Sequence, residues 1–250
     1  MIKKTKIFFS ISGKILLLNI LTAVALSAFS QSGKAKVSQQ NNSSKDTAII
    51  DAYLKIVFAY SQSIGTHDSA NFYLNKIDSL STLTHYSKGK TEYYRMKAVM
   101  YYLLEKEDSL KYAVNRAFFT ADSARNKKEQ ALVNDLLGWI NQNREQNDSA
   151  ADYYIKAAHI ADSIKDYNFS GKIYNNLSVV FWNIGNYKKA VEYAKNGFEK
   201  AKNLNDTFLL SNTLFNLGNA KSRLKQYDTA FILFKRVREL VNDPLKYNQV

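Results

Sequence analysis

Few residues of this chain have the types and spacing that catalysis or metal binding requires. The three histidines, His67, His85 and His159, include no pair four residues apart and no HExxH motif, so the sequence predicts no metal site. Lys172 follows Gly171, but no earlier glycine stands where a phosphate-binding loop needs one. No G-x-S-x-G motif marks a nucleophilic serine, and the carboxylates are spread along the chain. We therefore expect a non-enzymatic protein without a cofactor.

The composition predicts an almost wholly helical chain. The 250 residues include one proline and nine glycines, which are too few breakers for a loop-rich or all-β protein. Apolar residues make up 46% of the chain, enough for a hydrophobic core. The absence of cysteine excludes a disulfide framework, thiolate metal sites and cysteine nucleophiles, and it leaves the redox compartment undetermined.

The first thirty residues have the pattern of a cleavable export signal. Three lysines within the first six residues precede the apolar stretch Ile15–Phe29, and a small-x-small site ends at Ser30. This pattern predicts cleavage between Ser30 and Gln31, and a protein that is periplasmic or secreted and has no membrane span after cleavage. The alternative is an uncleaved membrane anchor over residues 7–29. That anchor is disfavoured because it places Lys14 inside the span, at a cost of roughly 2.5–3.5 kcal/mol.

The charge of the chain is positive but dispersed. The formal net charge is +13, and the first thirty residues contribute four lysines and no acid, so the chain after cleavage carries +9. A phosphate-binding surface neutralises about 6–10 phosphates with clustered Lys and Arg. The basic residues here form only short pairs such as Lys127-Lys128 and Lys188-Lys189. We interpret them as solvated helix faces and expect no nucleic acid partner.

A repeat of 40 residues organises the rest of the chain. Asn176–Tyr193 and Asn216–Leu233 align at this offset, and the same register continues back along the chain. One column of the alignment holds Ala70, Leu110, Ala150, Ala190 and Ala230. We predict five repeats over residues 47–243, preceded by a flexible polar tether over 31–46. Residues 244–250 are either the start of a further element or a truncated tail.

Within each repeat the apolar spacing is helical. In the fourth repeat a first stripe has the spacing i, i+4, i+7, i+8 and i+11, carried by Ile173, Leu177, Val180, Phe181 and Ile184. Gly185-Asn186 breaks this stripe, and a second stripe starts at Tyr187. Each repeat is therefore predicted to be a helix, a tight turn and an antiparallel helix. The predicted pairs are 47–64 with 68–83, 88–105 with 108–125, 128–145 with 148–165, 168–184 with 187–205, and 208–224 with 227–242.

Small residues recur at one position of the first helix of the repeats. This column consists of Ala98, Gly138, Ser178 and Gly218. Small side chains there let the two helices of a hairpin approach closely. Because a glycine within a helix costs about 1 kcal/mol relative to alanine, Gly138 and Gly218 indicate contacts that exclude even a methyl group.

Two stretches carry a family resemblance. The pattern N-L-G-N-A-x-x-x-L-x-Q-Y-x-x-A spans Asn216–Ala230, and N-L-S-x-x-F-x-N-I-G-N-Y-x-x-A spans Asn176–Ala190. Both resemble tetratricopeptide repeats (TPR), in which a leucine, a small residue, a glycine before the turn, a tyrosine and an alanine hold these places. The period of 40 exceeds the usual ~34 and resembles the long-helix varieties of bacterial regulators and motor light chains. With the export signal, the chain resembles an exported bacterial member of this variety.

The resemblance implies an all-α, right-handed superhelical solenoid of about five antiparallel helix-turn-helix hairpins, whose first helices line a concave groove. Projected onto that groove, the columns place there the expected partner-binding residues Arg95, Tyr102, Trp139, Asn175, Trp182, Asn219 and Arg223. The two tryptophans are the sharpest signal, because aromatic and arginine anchors dominate interface energetics. The alternative is that both tryptophans simply pack between neighbouring helices.

The function that the resemblance implies is a non-catalytic scaffold that binds a protein or peptide in the groove. An alternative is the extracytoplasmic sensor segment of a larger bacterial signalling protein with a histidine kinase or DNA-binding output. The second helix of the last hairpin has an apolar stripe that comprises Phe231, Phe234, Val237, Leu240 and Val241. We expect a C-terminal continuation of the chain, or a partner, to cover this helix.

Overall fold

All the secondary structure in the described residues is α-helical. The computed structural model describes residues 39–61, 67–204 and 206–242, and within these ranges there is no β-strand. The helices are α1 Gln39–Ser61, α2 His67–Leu83, α3 Ser87–Leu103, α4 Glu107–Ser123, α5 Lys127–Asn143, α6 Asn147–Ser163, α7 Tyr167–Asn183, α8 Tyr187–Leu204, α9 Thr207–Arg223 and α10 Tyr227–Asn242. The prediction of an all-α fold is confirmed.

The helices pack in the order of the chain. Each odd-numbered helix forms a hairpin with the helix that follows it, and the next odd-numbered helix packs against that hairpin. Direct contacts also join α1 to α3, α3 to α5 and α7 to α9. We call the odd-numbered helices first helices and the even-numbered helices second helices. The described part of the chain is therefore a solenoid of five helical hairpins, as predicted, and its first helices lie side by side along one face.

Seven of the turns between helices have one residue with a positive φ. A residue with φ between 50° and 61° stands at His85, Glu105, Arg125, Glu145, Lys165 and Lys225, and Gly185 has a φ of 84°. The amide that follows such a residue bonds back to the end of the helix, as from Lys106 N to Tyr101 O at 2.9 Å, which satisfies a terminal carbonyl group. Only one of these turns contains the glycine that this conformation favours. The other turns therefore lack the residue by which a sequence normally signals them.

Side-chain caps fix the start of three first helices at equivalent positions. Asn126, Asp166 and Asp206 each accept a hydrogen bond from the backbone amide three residues further on, at 3.2, 3.1 and 2.9 Å. These caps recur every 40 residues, one before each of α5, α7 and α9. They keep the first helices of successive hairpins in the same register.

The glycines of the small column receive an aromatic ring from the second helix of the same hairpin. A Cβ atom added to Gly138 would lie 2.5 Å from the Tyr154 ring, and one added to Gly218 would lie 2.7 Å from the Phe234 ring. The prediction that these two contacts exclude a methyl group is confirmed. At the equivalent positions the pairs are Ala98 with Val114 and Ser178 with Ala194. The glycines thus accompany the largest partners, which fill the space between the helices, whereas Ser178 and Ala194 are both small.

The N-terminal boundary of the array differs from the prediction. The sequence predicts a flexible tether over 31–46, whereas α1 begins at Gln39, so the last part of that segment is helical. Its Gln, Asn and Ser residues weaken a helix without forbidding one that runs on into an apolar stripe. The predicted signal peptide, 1–30, and the segment 244–250 lie outside the described residues. No helix in the described part of the chain has both the length and the apolar character that crossing a membrane requires.

Candidate functional site

The predicted groove residues all lie on first helices. Arg95 and Tyr102 are on α3, Trp139 on α5, Asn175 and Trp182 on α7, and Asn219 and Arg223 on α9. Arg223 is exposed and the other six are partly buried, so none of them is sealed in the core. The structure brings four of these residues together in two aromatic centres, Tyr102 with Trp139 between α3 and α5 and Trp182 with Arg223 between α7 and α9.

The first aromatic centre joins Tyr102 to Trp139. Their ring centroids are 5.2 Å apart in an edge-to-face arrangement, which is favourable for aromatic pairs. The guanidinium of Arg144 lies 5.6 Å from the Tyr102 ring, and Arg144 Nη2 is 2.6 Å from Glu107 Oε2. Tyr102 and Arg144 border an open cleft of about 560 Å³. Trp139 also packs at the edge of an apolar cluster, so it both supports the hairpin contact and borders the face.

The second aromatic centre joins Trp182 to Arg223. The Arg223 guanidinium lies 5.1 Å from the Trp182 ring and 6.0 Å from the ring of Tyr187, so a cation contacts two aromatic faces. Trp182 packs against the largest apolar cluster of the chain, and its Nε1 is buried without a hydrogen bond acceptor among the described residues. Two predicted residues, 41 positions apart in the sequence, therefore meet here, and Tyr187 is a neighbour that the prediction missed.

Asn175 and Asn219 contribute differently from the aromatic residues. The Asn175 Oδ1 atom accepts a hydrogen bond of 2.8 Å from Asn216 Nδ2, which ties α7 to α9. The carbonyl group of this side chain is thus used within the array. Asn219 lies on α9 one helical turn before Arg223 and is partly buried. Of the two asparagines, Asn219 is the one placed beside an aromatic centre.

Arg95 is held in a group of charges between α3 and α5. Arg95 Nη1 lies 2.6 Å from Glu92 Oε1, and only 12% and 13% of the two side chains are exposed. Glu129 and Asp135 of α5 interact electrostatically with the same guanidinium. Arg95 therefore neutralises carboxylates within the array, and its part in partner binding stays a prediction.

The pKa values of two carboxyl groups in this charged group are raised toward neutral pH. Burial raises the pKa of Glu129 to about 7, and the negative charge of Glu92 acts in the same direction. Burial likewise raises the pKa of Asp135 to about 6, while the Arg95 charge opposes the rise. Glu129 is only 2% exposed, and its Oε2 atom has no hydrogen bond partner among the described residues. Protonation of these groups near pH 6–7 therefore removes charge from the interface between α3 and α5.

The sequence contained one signal for the charged group. Arg95 and Asp135 share a column of the 40-residue alignment, so opposite charges on neighbouring first helices could be expected from the repeat alone. Glu129 gave no such signal, because a carboxylate near a helix start is ordinarily solvated. Glu129 is buried because α3 packs against α5, which the sequence around Glu129 does not indicate.

Within the described ranges no three His, Cys, Asp or Glu side chains are grouped so that they could hold a metal ion. What the first-helix face offers is aromatic surface, two arginines stacked on it, and a set of amide groups. Aromatic residues and arginine are enriched in protein–protein interfaces.

A chain of helical hairpins whose first helices line one face belongs to the class of helical repeat solenoids. Residues 169–243 match the family described as tetratricopeptide repeat. This segment holds the last two hairpins, where the sequence resemblance is strongest. The match therefore concerns these two hairpins, and the fold of the other described hairpins is of the same helical repeat class. A comparison with curated protein sequences gives no match.

Several solved structures have a similar fold. BtubC (BKLC) from P. vanneervenii is similar with a TM-score of 0.58 and 15% identity, over 83% of this chain and 93% of that chain. The pilF protein of Pseudomonas aeruginosa gives 0.58 and 15%, over 78% of each chain. A signal transduction ATPase with a tetratricopeptide repeat sensor, from Pyrococcus horikoshii, gives 0.62 and 16%, over 80% of this chain but only 30% of that chain. At these identities the likeness concerns the fold alone.

Proposed function

We propose that the protein is a non-catalytic scaffold that binds a protein or peptide segment on the face formed by its first helices. The observation that carries this proposal is the pair of aromatic centres, in which Trp139 and Trp182 are partly buried and accompanied by Arg144 and Arg223. Tryptophan, tyrosine and arginine are the residues that most often dominate interface energies. The TPR fold supplies such a surface and brings no reactive groups of its own.

The chemistry of the centres indicates the kind of segment they would bind. Both combine an aromatic ring with a guanidinium group, which suits an apolar side chain next to a carboxylate. Arg144 already pairs with Glu107, whereas no ion pair of the described residues involves Arg223. Arg223 is also the exposed member of the set. We therefore expect the centre between α7 and α9 to contribute the charged contact to a ligand.

A pull-down with the purified protein tests this proposal. The variant Trp139→Ala/Trp182→Ala should lose partners that the parent recovers, because both aromatic anchors are removed. A matched control is Phe72→Ala/Phe119→Ala, since both phenylalanines are exposed, at 58% and 61%, on second helices away from the face. The control should recover the same partners as the parent. Equal recovery by the tryptophan variant and the parent would remove this face from consideration.

A second candidate function is the sensor segment of a larger signalling protein. The observation that favours it is the fold likeness to the Pyrococcus horikoshii protein, in which a TPR sensor is one part of a longer chain. The two functions are compatible, since a sensor segment would also bind its ligand on the face formed by the first helices. The genomic reading frame around this sequence distinguishes them. A kinase or DNA-binding segment in the same frame would favour the sensor, and a stop codon after Val250 would count against it.

Export is a further part of the proposal. The first thirty residues support it by their basic start, apolar stretch and small-x-small site. Expression in a bacterial host, followed by cell fractionation and N-terminal sequencing, tests it directly. The expected product starts at Gln31 in the periplasm or the medium, and a protein that keeps Met1 and stays in the cytoplasm would contradict export.

A further inference from the structure

An open cavity of about 430 Å³ lies between the second helices α4 and α6 and the first helix α5. Phe118 and Phe119 of α4 and Ile160 of α6 give it apolar walls, and Asn134 of α5 and Asp122 of α4 add polar groups. Sites for small molecules have volumes of roughly 300–1,000 Å³ and combine apolar walls with a few polar groups. The cavity therefore has the size and the lining of a site for one small molecule.

The next repeat shows what fills the same place there. At the offset of 40 residues, Asp122 corresponds to Asp162 and Asn134 corresponds to Tyr174. The Tyr174 hydroxyl donates a hydrogen bond of 2.5 Å to Asp162 Oδ2. The Tyr174 ring stacks on the ring of Tyr193 of α8, with 6.1 Å between the centroids. A phenol ring of the chain itself thus lies between α6 and α8, with its hydroxyl on a carboxylate.

A lysine of the next repeat has no counterpart at the cavity. Lys200 corresponds to Ile160, and its Nζ atom lies 3.0 Å from Asp162 Oδ1 and 4.3 Å from the centroid of the Tyr167 ring. The apolar side chain of Ile160 can make neither of these contacts. The carboxylate of Asp162 is therefore covered by a phenol and a lysine, and Asp122 has neither of them.

Asn134 does not take the place of the tyrosine. It is only 7% exposed, and its Nδ2 atom donates back to the Gln130 carbonyl oxygen of the same helix at 2.8 Å. Gln130 Nε2 donates to Asp122 Oδ1 at 3.1 Å, and no hydrogen bond or ion pair of the described residues uses Asp122 Oδ2. The cavity thus keeps the carboxylate acceptor of the next repeat and lacks the ring that binds it.

We propose that this cavity binds a small phenolic compound whose ring takes the place that the Tyr174 ring has in the next repeat, and whose hydroxyl donates to Asp122. The apolar walls suit the ring, and the open Oδ2 atom of Asp122 suits a hydroxyl donor. An aromatic hydrocarbon would cover this acceptor without bonding it, which is costly. A ring with a negative charge would repel the carboxylate.

A titration of the purified protein with p-cresol, the side-chain analogue of tyrosine, tests the proposal. Nuclear magnetic resonance should show saturable binding. The methyl ether 4-methylanisole has the same ring without the hydroxyl donor, and it should bind about tenfold more weakly or worse. Asp122→Ala should weaken p-cresol binding by a similar factor. Asp152→Ala is the matched control, because it removes an exposed carboxylate of α6 that does not line the cavity, and it should bind like the parent.

Two further variants fill the cavity from within, as the next repeat does. Asn134→Tyr copies Tyr174, so it should abolish p-cresol binding and raise the melting temperature. Ile160→Lys copies Lys200, so it should place an ammonium group on Asp122 and weaken p-cresol binding about tenfold. Ile160 is partly buried, and circular dichroism should show both variants folded. Ile160→Lys and Asp122→Ala keep the test decisive if Asn134→Tyr does not fold.

Three results would overturn the proposal. The first is a parent protein that shows no saturable binding of p-cresol, or binding that Asp122→Ala and the filling variants leave intact. The second is tighter binding of 4-methylbenzoate than of p-cresol, which would show that Lys127 at the cavity selects an anion. The third is tighter binding of the peptide acetyl-Gly-Tyr-Gly-amide than of p-cresol, which would assign the cavity to a tyrosine of another polypeptide.

This cavity is separate from the face of the first helices. It shares no residue with the two aromatic centres, so its test gives an answer whether or not the pull-down with the tryptophan variant succeeds. Phe119 lines the cavity, but the proposed ligand is a free compound, so Phe119 stays suitable for the control variant of the pull-down. The protein would then bind a polypeptide on one side and a small phenol on another.

Discussion

The contact between α3 and α5 and the contact between α7 and α9 occupy equivalent places in the array but are built from different chemistry. The first contains the ion pair of Arg95 with Glu92 and two further carboxyl groups whose pKa values are raised. The second is joined by a neutral hydrogen bond between Asn216 and Asn175 and is backed by buried leucines. The contact between α3 and α5 is therefore sensitive to pH. Among the described residues, the contact between α7 and α9 has no carboxyl group with a raised pKa.

Glu129 shows what this difference teaches. In the 40-residue alignment it shares its position with Phe169 and Leu209, three residues after the cap of each first helix. Glu129 is 2% exposed and Leu209 is 3% exposed. Phe169 is partly buried, so the fold keeps this position largely out of solvent whichever residue stands there. Turns, caps and small–large pairs determine the geometry, and the chemistry of the contact is free to vary from one repeat to the next. The family match covers only 169–243, the part where these contacts are apolar or neutral.

The largest expected effect lies in the apolar contact. Leu214→Ala in α9 should lower the free energy of unfolding by about 2–5 kcal/mol, because Leu214 is 1% exposed and its removal leaves a cavity. The loss should be the same at pH 5 and pH 8, since no titrating group is involved. Urea unfolding followed by circular dichroism measures it. Leu204→Ala, at a residue 40% exposed on α8, is the control and should cost much less.

The second prediction concerns Glu129 and the sign of its pH dependence. Its pKa is raised from 4.5 to about 7 in the folded protein, so the folded state binds the proton more tightly than the unfolded state. The stability that protonation supplies is complete below about pH 4.5 and is lost as the pH rises through about 7. Glu129→Gln keeps the shape and removes the charge. It should leave stability unchanged at pH 4.5 and raise it at pH 8 by up to about 3 kcal/mol.

Thermal melts at the two pH values measure the effect of Glu129→Gln. Glu192→Gln serves as the control, because Glu192 is exposed on α8 and its substitution should have almost no effect at either pH. An equal change at both pH values would contradict the assignment of Glu129 as a buried, titrating group.

The third prediction tests whether size compensation operates in both regions. Gly138→Ala should cost about 1–3 kcal/mol, because the new methyl group would overlap the Tyr154 ring. Gly218→Ala should lower stability by a similar amount, because its methyl group would overlap the Phe234 ring. The double variant Gly138→Ala/Tyr154→Val copies the pair Ala98 with Val114. It should be more stable than the sum of its single changes predicts, and strict additivity would argue against coupled packing.

The smallest expected effect is that of the neutral hydrogen bond. Asn216→Ala should cost about 0.5–1.5 kcal/mol, because it removes one partly buried hydrogen bond between α7 and α9. The loss should not vary between pH 5 and pH 8. Urea unfolding at the two pH values measures it, and a loss that grows with pH would show that this contact is not neutral after all.

Much of the fold could be predicted because its signals are local. The predicted helix 168–184 corresponds to α7, Tyr167–Asn183, and 187–205 corresponds to α8, Tyr187–Leu204. The apolar period indicates a helix within a few turns of chain, and the 40-residue repeat multiplies that indication. The conformation of the turns was less visible. At Glu105, for example, φ is 55° although the residue is not glycine, since the hydrogen bonds at the helix end stabilise it.

The candidate site was only partly predictable. The columns placed Trp182 and Arg223 on the same face, and the structure puts the guanidinium 5.1 Å from the ring. The same columns placed Arg95 on this face, but they did not show that it is paired with Glu92 inside the contact. Both residues are i, i+3 neighbours on α3, but the depth at which they lie depends on α5, whose residues are some 40 positions further along the chain.

By itself, the sequence determined a repeat of helical hairpins with an aromatic face. The reason is that helix periodicity, small columns and cap residues act over a few residues and recur at a constant offset. Only the tertiary structure decided which charges are buried and which rings fill the glycine positions. Each of these depends on what a neighbouring helix places against a residue, and burial sets the pKa of a carboxyl group and the availability of an apolar surface.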